Sequence, residues 1–280
     1  MATANVNGVD LYYEVQGQGP PLVMAHGLLG SIEWSRDLGE RPDTLARHFR
    51  LIRFDARGHG KSGYTTDQSH YTWDALAGDM YALMQHLGIE RAHVGGGSMG
   101  GGTALTLALA HPEVVDRLVL VGPPPVGQQA SAPGAQLFGG LALLIEGMGL
   151  EKAVDLALSL QPWAPLKEAA PELYDWIRRW LLSQNPHAVV PAIRGIVLGP
   201  ELAHQRFSEI RAPTLIIAHP DDDLHPLESA RAIQRAVKDS YLVVAPTALY
   251  YQQNPDEVVE MIVGFLADSA PSANAERLPT

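Results

Sequence analysis

The chain has 280 residues, of which 46% are hydrophobic and 18% charged, and this fits one large α/β domain with an insertion. A net charge of −11 disfavours nucleic acid and anionic membranes as partners, and the absence of cysteine excludes disulfides and thiolate chemistry. Residues 1–7 lack a secretion signal and no apolar run reaches the roughly 18 residues of a membrane span, so we expect a cytoplasmic protein without a membrane partner.

Predicted strands and helices alternate up to residue 121. Val9–Val15 alternates in polarity and predicts an edge strand, whereas the apolar runs Leu22–Ala25 and Phe49–Phe54 predict strands buried on both faces. Apolar residues at helical spacing predict a helix over Tyr71–Leu87, and a further strand is predicted over Leu118–Val121. This alternation predicts a parallel sheet with helices on both faces.

The stretch Val94–Leu105 contains the pattern Gly-x-Ser-x-Gly, with Ser98 between Gly96 and Gly100. This pattern predicts a sharp turn between a strand and a helix, which holds the serine in a strained backbone conformation. A Cβ at either flanking position would crowd the turn, so glycine is needed there. Because a strand-like run precedes the turn and a helix rich in Ala and Leu follows it, we interpret Ser98 as a nucleophile rather than as part of an ordinary glycine-rich loop.

The alternation stops at three consecutive prolines that begin at residue 123. From there to about residue 205 apolar residues recur at helical spacing and no strand is predicted, which indicates an inserted helical cap. Strands and helices then resume from Pro213–Ala218 to Asp256–Ala267. The predicted division is a core of 1–122 and 206–268, a cap of 123–205 and a flexible tail of 269–280.

Four separated motifs carry a resemblance that spans nearly all of Val9–Asp268. They are the turn at Ser98, His26-Gly27 after an early buried strand, Asp55-x-Arg57-Gly58-His59-Gly60-x-Ser62, and an acidic loop after Pro213–Ala218. Together they resemble the α/β-hydrolase superfamily, and within it the esterase, lactonase and C–C hydrolase branch that includes enol-lactone hydrolases. The resemblance implies an α/β fold with a mostly parallel eight-stranded sheet, flanking helices and an inserted cap. It implies no cofactor and no metal, and we expect the two motif histidines to brace their loops.

The resemblance also implies a catalytic acid in the loop His219–Pro226, where the superfamily commonly has a carboxylate four residues before a proline. That position is Asp222, which would orient the catalytic imidazole and stabilise the imidazolium. Asp221 and Asp223 remain alternatives. Histidines flank these carboxylates, but their spacing matches no common zinc pattern, so no metal site is predicted.

The catalytic histidine is missing from its usual place. In the superfamily it precedes a segment like Glu-Asn-Pro-Glu, and counting back from Gln253-Asn254-Pro255-Asp256 leads to Ala248. We favour an engineered replacement at this position because every other part is intact. The alternatives are a natural non-hydrolytic protein, for ligand binding or cyclase- or pericyclic-type catalysis, and a displaced histidine. For the last, His225 is the best candidate, although it must reach across to Ser98.

The resemblance implies that Ser98 attacks a carbonyl and that the backbone N–H groups of Leu28 and Met99 form the oxyanion hole. The predicted function is hydrolysis of a small hydrophobic ester or lactone through an acyl-enzyme, with C–C bond hydrolysis as an alternative. Because Ala248 cannot accept a proton, we expect substrate binding with extremely slow turnover. Aromatic side chains of the cap are expected to contact the substrate, namely Trp163, Trp176 and Trp180.

Overall fold

The computed structural model describes residues 2–37, 40–127, 133–160, 163–220, 222–247 and 250–267 of the chain. Its strands are β1 (Ala2–Val6), β2 (Val9–Gln16), β3 (Pro21–Ala25), β4 (Arg50–Phe54), β5 (Ala92–Gly97), β6 (Val115–Val121), β7 (Thr214–Ala218) and β8 (Ser240–Val244). Its helices are α1 (Ile32–Asp37), α2 (Pro42–Leu45), α3 (Trp73–His86), α4 (Met99–Ala110), α5 (Pro133–Met148), α6 (Leu150–Leu158), α7 (Leu166–Ala169), α8 (Pro171–Leu182), α9 (Val189–Val197), α10 (Leu227–Ala236), α11 (Tyr250–Gln253) and α12 (Pro255–Leu266).

The strands form one eight-stranded sheet in the order β1-β2-β4-β3-β5-β6-β7-β8. Only the pairs β1–β2 and β2–β4 are antiparallel, and every other neighbouring pair is parallel. The predicted eight-stranded, mostly parallel sheet is therefore confirmed. The prediction that Val9–Val15 is an edge strand is wrong, because β1 pairs along its outer side through the hairpin turn at Asn7 and Gly8, both of which have positive φ.

Both faces of the sheet are covered by helices. On one face, apolar side chains of β3, β4 and β7 pack with those of α12. On the other face, Val23, Ile52 and Val94 pack with buried side chains of α3 and α4. Since the carboxyl ends of the parallel strands all lie at one edge, the loops that follow β3, β5, β6 and β7 meet there.

In the described part of the chain, helices α5 to α9 lie between β6 and β7, in the segment predicted as a cap. Helix α9 approaches the short 3-10 helix Gln68–Tyr71 very closely, because a Cβ at Gly195 would come within 2.5 Å of the Gln68 carbonyl oxygen. The division into core and cap at 123–205 remains a prediction, and the predicted tail at 269–280 lies outside the described residues. No helix in the described part of the chain is both long and apolar enough to cross a membrane.

Candidate active site

Ser98 lies in the turn between β5 and α4, with φ +51° and ψ −115°. This left-handed backbone is rare for a residue with a side chain and is typical of strained functional positions. A Cβ at Gly96 would lie 2.3 Å from the carbonyl oxygen of Ala25, and one at Gly100 would lie 2.1 Å from the same atom. The two glycines therefore let the turn pack against the end of β3, as the sequence pattern predicts.

The loop of residues 26–30 follows β3 and runs beside the serine, since a Cβ at Gly27 would lie 3.4 Å from Ser98 Cβ. Leu28 is in this loop, and Met99 is the first residue of α4. The first N–H groups of a helix have no intrahelical acceptor, and they lie at the positive end of the helix dipole, where an anion is stabilised. Met99 follows Ser98 in the chain, and Leu28 belongs to the loop that runs beside Ser98. Their role in an oxyanion hole remains a prediction.

The loop is clamped through the carbonyl group of Leu29, a fully buried residue with φ +60°. This oxygen accepts hydrogen bonds from Trp180 Nε1 at 2.7 Å and from Gln184 Nε2 at 2.8 Å. Trp176 stacks on Trp180 with ring centroids 5.8 Å apart. The end of α8 therefore docks directly on the loop that carries Leu28.

Trp176 and Trp180, predicted to contact substrate, use their indole N–H groups within the protein. Trp176 Nε1 donates to Asp37 Oδ2 at 2.9 Å, and Trp180 Nε1 donates to the carbonyl oxygen of Leu29. Trp163 is partly buried against the apolar core. None of the three belongs to the described wall of the cavity at Ser98, so contact between these residues and substrate remains a prediction.

Asp222 lies in the loop after β7, and its carboxylate accepts four hydrogen bonds. Oδ1 accepts the backbone N–H groups of Leu224 at 2.7 Å and of His225 at 3.1 Å. Oδ2 lies 2.8 Å from His225 Nδ1 and 3.1 Å from His219 Nε2. Burial opposes ionisation, but the hydrogen bonds from His219 and His225 outweigh it and hold the pKa of Asp222 well below its usual range.

The two imidazoles differ in what their ring nitrogens contact. His219 Nδ1 faces the carbonyl oxygen of Pro220 at 3.1 Å and Nε2 faces Asp222, so both nitrogens serve as donors. Burial lowers the pKa of His219, but the hydrogen bonds to Asp222 and to the carbonyl raise it above its usual value. His225 instead lies over Gly122, where a Cβ would be 3.5 Å from its Cγ, and the Gly122 carbonyl accepts the N–H of Ser98 at 3.1 Å.

A cavity of about 350 Å³ joins these parts, and its wall includes Ser98, His219, Asp222 and His225. The rest of the wall is largely apolar and comes from the sheet and from α2 and α12, including Met24, Leu45, Val121, Val258, Val259 and Ile262. The structure therefore brings Ser98 and Asp222 together. Asp223 is exposed, and Ala248 and Asp221 lie outside the described residues.

A family model for the alpha/beta hydrolase fold matches residues 20–143. The crystal structure of the enol-lactonase from Burkholderia xenovorans LB400 superposes with a TM-score of 0.79 at 24% identity, covering 95% of this chain and 100% of the other. The chain has the α/β-hydrolase fold.

Curated proteins similar to this chain include a named hydrolase. The AB hydrolase superfamily protein YisY of Bacillus subtilis is 29% identical over 245 residues, which are 84% of this chain and 86% of the relative. The 2-hydroxy-6-oxo-6-phenylhexa-2,4-dienoate hydrolase of Comamonas testosteroni is 29% identical over 276 residues, which are 91% of each chain.

Two other histidines near the site have structural roles. His26 Nδ1 donates to the Gly27 carbonyl at 2.7 Å, and its Nε2 accepts the N–H of Ala56 at 2.9 Å. Burial lowers the pKa of His26 to about 4 and that of His59, whose ring lies 5.2 Å away, to about 3. Both imidazoles are therefore neutral and brace the loops after β3 and β4.

The sequence reasoning missed His219 as a partner of Asp222. It also missed the hydrogen bonds of Trp180 and Gln184 to the Leu29 carbonyl. The signal available for the pair of His219 and Asp222 was a histidine three positions before a carboxylate in the sequence. Nothing local in the sequence points to the second, because Trp180 is 151 residues from Leu29 along the chain.

Proposed function

We propose that this protein is a serine hydrolase that cleaves a small hydrophobic ester or lactone through an acyl-enzyme. The observation that carries the proposal is that Ser98, in its strained turn, lines the same cavity as the hydrogen-bonded pair Asp222 and His225. A nucleophile, a carboxylate and an imidazole in one concave site are the parts that acyl transfer requires. The relative from Comamonas testosteroni is a named hydrolase, which supports the reaction class.

In the proposed reaction, Ser98 Oγ forms a bond to the substrate carbonyl carbon while its proton passes to an imidazole nitrogen. The carbonyl π electrons move onto oxygen, and the N–H groups of Leu28 and Met99 stabilise this charge. The intermediate collapses, and the leaving alkoxide takes the proton from the imidazolium. Water then attacks the acyl-enzyme by the same sequence of steps and releases the acid and free Ser98.

The cavity supports a small, apolar substrate. Its volume of about 350 Å³ is at the low end of the usual range for ligand pockets, and most of its lining surface is apolar. Glu40, Arg41 and Arg53 also line it, and the apolar remainder fits an acyl group without charge best, because burying an unpaired charge there is costly. Cleavage of a C–C bond is the second candidate, since the relative from Comamonas testosteroni is named for a dienoate hydrolase and covers 91% of this chain.

Ala248 lowers the turnover that we expect. Removing one member of such a triad costs about a million-fold in kcat in a well-characterised serine protease. We therefore propose that this chain binds its substrate and turns it over far more slowly than an enzyme with a histidine at position 248.

The test combines covalent labelling with ester hydrolysis. The unaltered chain, Ala248→His and the double variant Ala248→His/His225→Ala are treated with a fluorophosphonate and assayed with p-nitrophenyl butyrate and a simple enol lactone. We expect mass spectrometry to find the adduct on Ser98, and hydrolysis to exceed that of matched Ser98→Ala versions. The proposal is refuted if none of the three forms is labelled at Ser98 and none exceeds its Ser98→Ala version, which would favour a ligand-binding or cyclase-type protein.

A further inference from the structure

We propose that His225 is the general base for Ser98 in this chain, in place of the histidine absent at position 248. The inference rests on the proposed hydrolase function and adds the identity of the residue that accepts the proton. It assigns this role to a residue on the loop that carries the acid, rather than to the loop after the last strand.

The hydrogen bond to Asp222 gives His225 the required tautomer. Its Nδ1 lies 2.8 Å from the carboxylate, which accepts but cannot donate, so the proton is on Nδ1. Nε2 of a neutral imidazole then carries the lone pair that a general base needs. The His225 side chain lines the cavity and is 23% exposed.

Elimination among the histidines of the cavity wall leads to the same residue. Three histidines line the wall, His26, His219 and His225. Both ring nitrogens of His26 are engaged by backbone groups, and both ring nitrogens of His219 face acceptors. Among these three wall histidines, only His225 has a ring nitrogen without a hydrogen-bond partner in the described part of the chain.

Gly122 connects His225 to the nucleophile. Its carbonyl accepts the N–H of Ser98, and the imidazole of His225 lies over its Cα without an intervening side chain. Ser98 Oγ has no hydrogen-bond partner among the described residues. An unpartnered hydroxyl and an unpartnered imidazole nitrogen thus lie on one cavity wall, and such catalytic hydrogen bonds are often long before substrate binds and shorten in the complex.

The carboxylate of Asp222 is fully occupied by its present hydrogen-bond donors. A carboxylate has about four lone-pair sites, and Asp222 accepts from the backbone of Leu224 and His225 and from the rings of His225 and His219. No site remains for another imidazole. The acid that would normally orient a histidine at position 248 therefore orients His225.

The proton of Ser98 Oγ moves to His225 Nε2 as Oγ bonds to the carbonyl carbon, which leaves an imidazolium paired with Asp222. The same proton then protonates the leaving alkoxide, and the cycle repeats with water as the nucleophile.

The test is the Ser98-dependent hydrolysis of p-nitrophenyl butyrate by the chain with Ala248 unchanged. We expect kcat to exceed that of Ser98→Ala, and His225→Ala and His225→Gln to lower it by about 10²–10⁴-fold, the usual contribution of a general base. Glutamine can still donate to Asp222 but cannot accept the proton, so its loss separates base catalysis from support of the loop. His187→Ala, which removes an exposed histidine stacked on Tyr64, is the matched control and should leave kcat unchanged.

The double variant Ala248→His/His225→Ala tests whether the loss is structural. It frees one lone pair of Asp222 for the new imidazole and should hydrolyse the ester faster than His225→Ala alone. The inference is overturned if the unaltered chain is no faster than Ser98→Ala while the double variant shows Ser98-dependent hydrolysis. It is equally overturned if His225→Ala and His187→Ala have the same kcat. In both cases the hydrolase function itself still stands.

Discussion

The carbonyl group of Leu29 offers a direct test of how α8 supports the site. This oxygen belongs to a fully buried residue and accepts from both Trp180 and Gln184. Gln184→Met keeps a similar volume but removes one donor, so we expect the free energy of unfolding to fall by about 1 kcal/mol. Trp180→Phe should cost more, because the indole also stacks on Trp176.

The informative quantity is the coupling between the two substitutions. Each single variant leaves one donor on the carbonyl, whereas the double variant leaves a buried acceptor without a partner, which costs about 1–3 kcal/mol. We therefore expect the double variant to lose about 1–3 kcal/mol more than the sum of the single losses. Urea denaturation of the four proteins of this double-mutant cycle measures the coupling.

Trp176→Phe is the matched control for the cycle. It removes an indole N–H whose acceptor is Asp37 and leaves both donors of Leu29 in place. Combined with Gln184→Met, it should show a much smaller coupling than the Trp180 pair. Losses from Trp180→Phe and Gln184→Met that add to within about 0.5 kcal/mol would refute the reasoning that the two share one essential acceptor.

Three further predictions concern stability. The pKa of His26 is about 4 in the folded protein and 6.5 in the reference state, so only the unfolded chain gains this proton between those values. The stability that depends on neutral His26 should be fully present above pH 6.5 and fall by about 3 kcal/mol as pH drops to 4, and His59, whose pKa is about 3 in the folded protein, adds a loss of similar size over the same range. Urea midpoints that are flat over this range would contradict the prediction. Asp79→Asn leaves the buried guanidinium of Arg57 without its carboxylate partner, so we expect the free energy of unfolding in denaturant to fall by about 3–5 kcal/mol. A fall of less than about 1 kcal/mol would argue against a buried ion pair. Gly96→Ala forces a Cβ against the Ala25 carbonyl and should lower the melting temperature sharply, while Gly97→Ala, whose Cβ would have 3.6 Å of clearance, should not.

The central strands could be predicted because parallel strands buried on both faces have nearly continuous apolar sequences. All five residues of β7 are buried, and the sequence there is Thr-Leu-Ile-Ile-Ala. β1 was missed because Ala2–Val6 is short and contains Ala and Asn, which are depleted in strands. The Asn7-Gly8 pair was the available signal, since it favours the tight hairpin turn that joins β1 to β2.

The site could be predicted only where its chemistry is local in sequence. The turn at Ser98 depends on glycines two residues away, and the geometry of that turn follows from them. The sequence also named His225, but its pairing with Asp222 depends on how the short loop folds back on itself. The contact of Trp180 with Leu29 depends on how α8 lies on the core, which no local pattern encodes.

The full set of hydrogen bonds at Asp222 has an evolutionary consequence. If His225 is the general base, as we propose, a histidine gained at position 248 while His225 is retained would find no free acceptor on the carboxylate, and loss of His225 before that gain would leave the nucleophile unassisted. On that proposal neither first step improves the enzyme, so the two positions would be epistatic. A lineage with this arrangement can return to the usual order of residues only through a less fit intermediate or a double substitution.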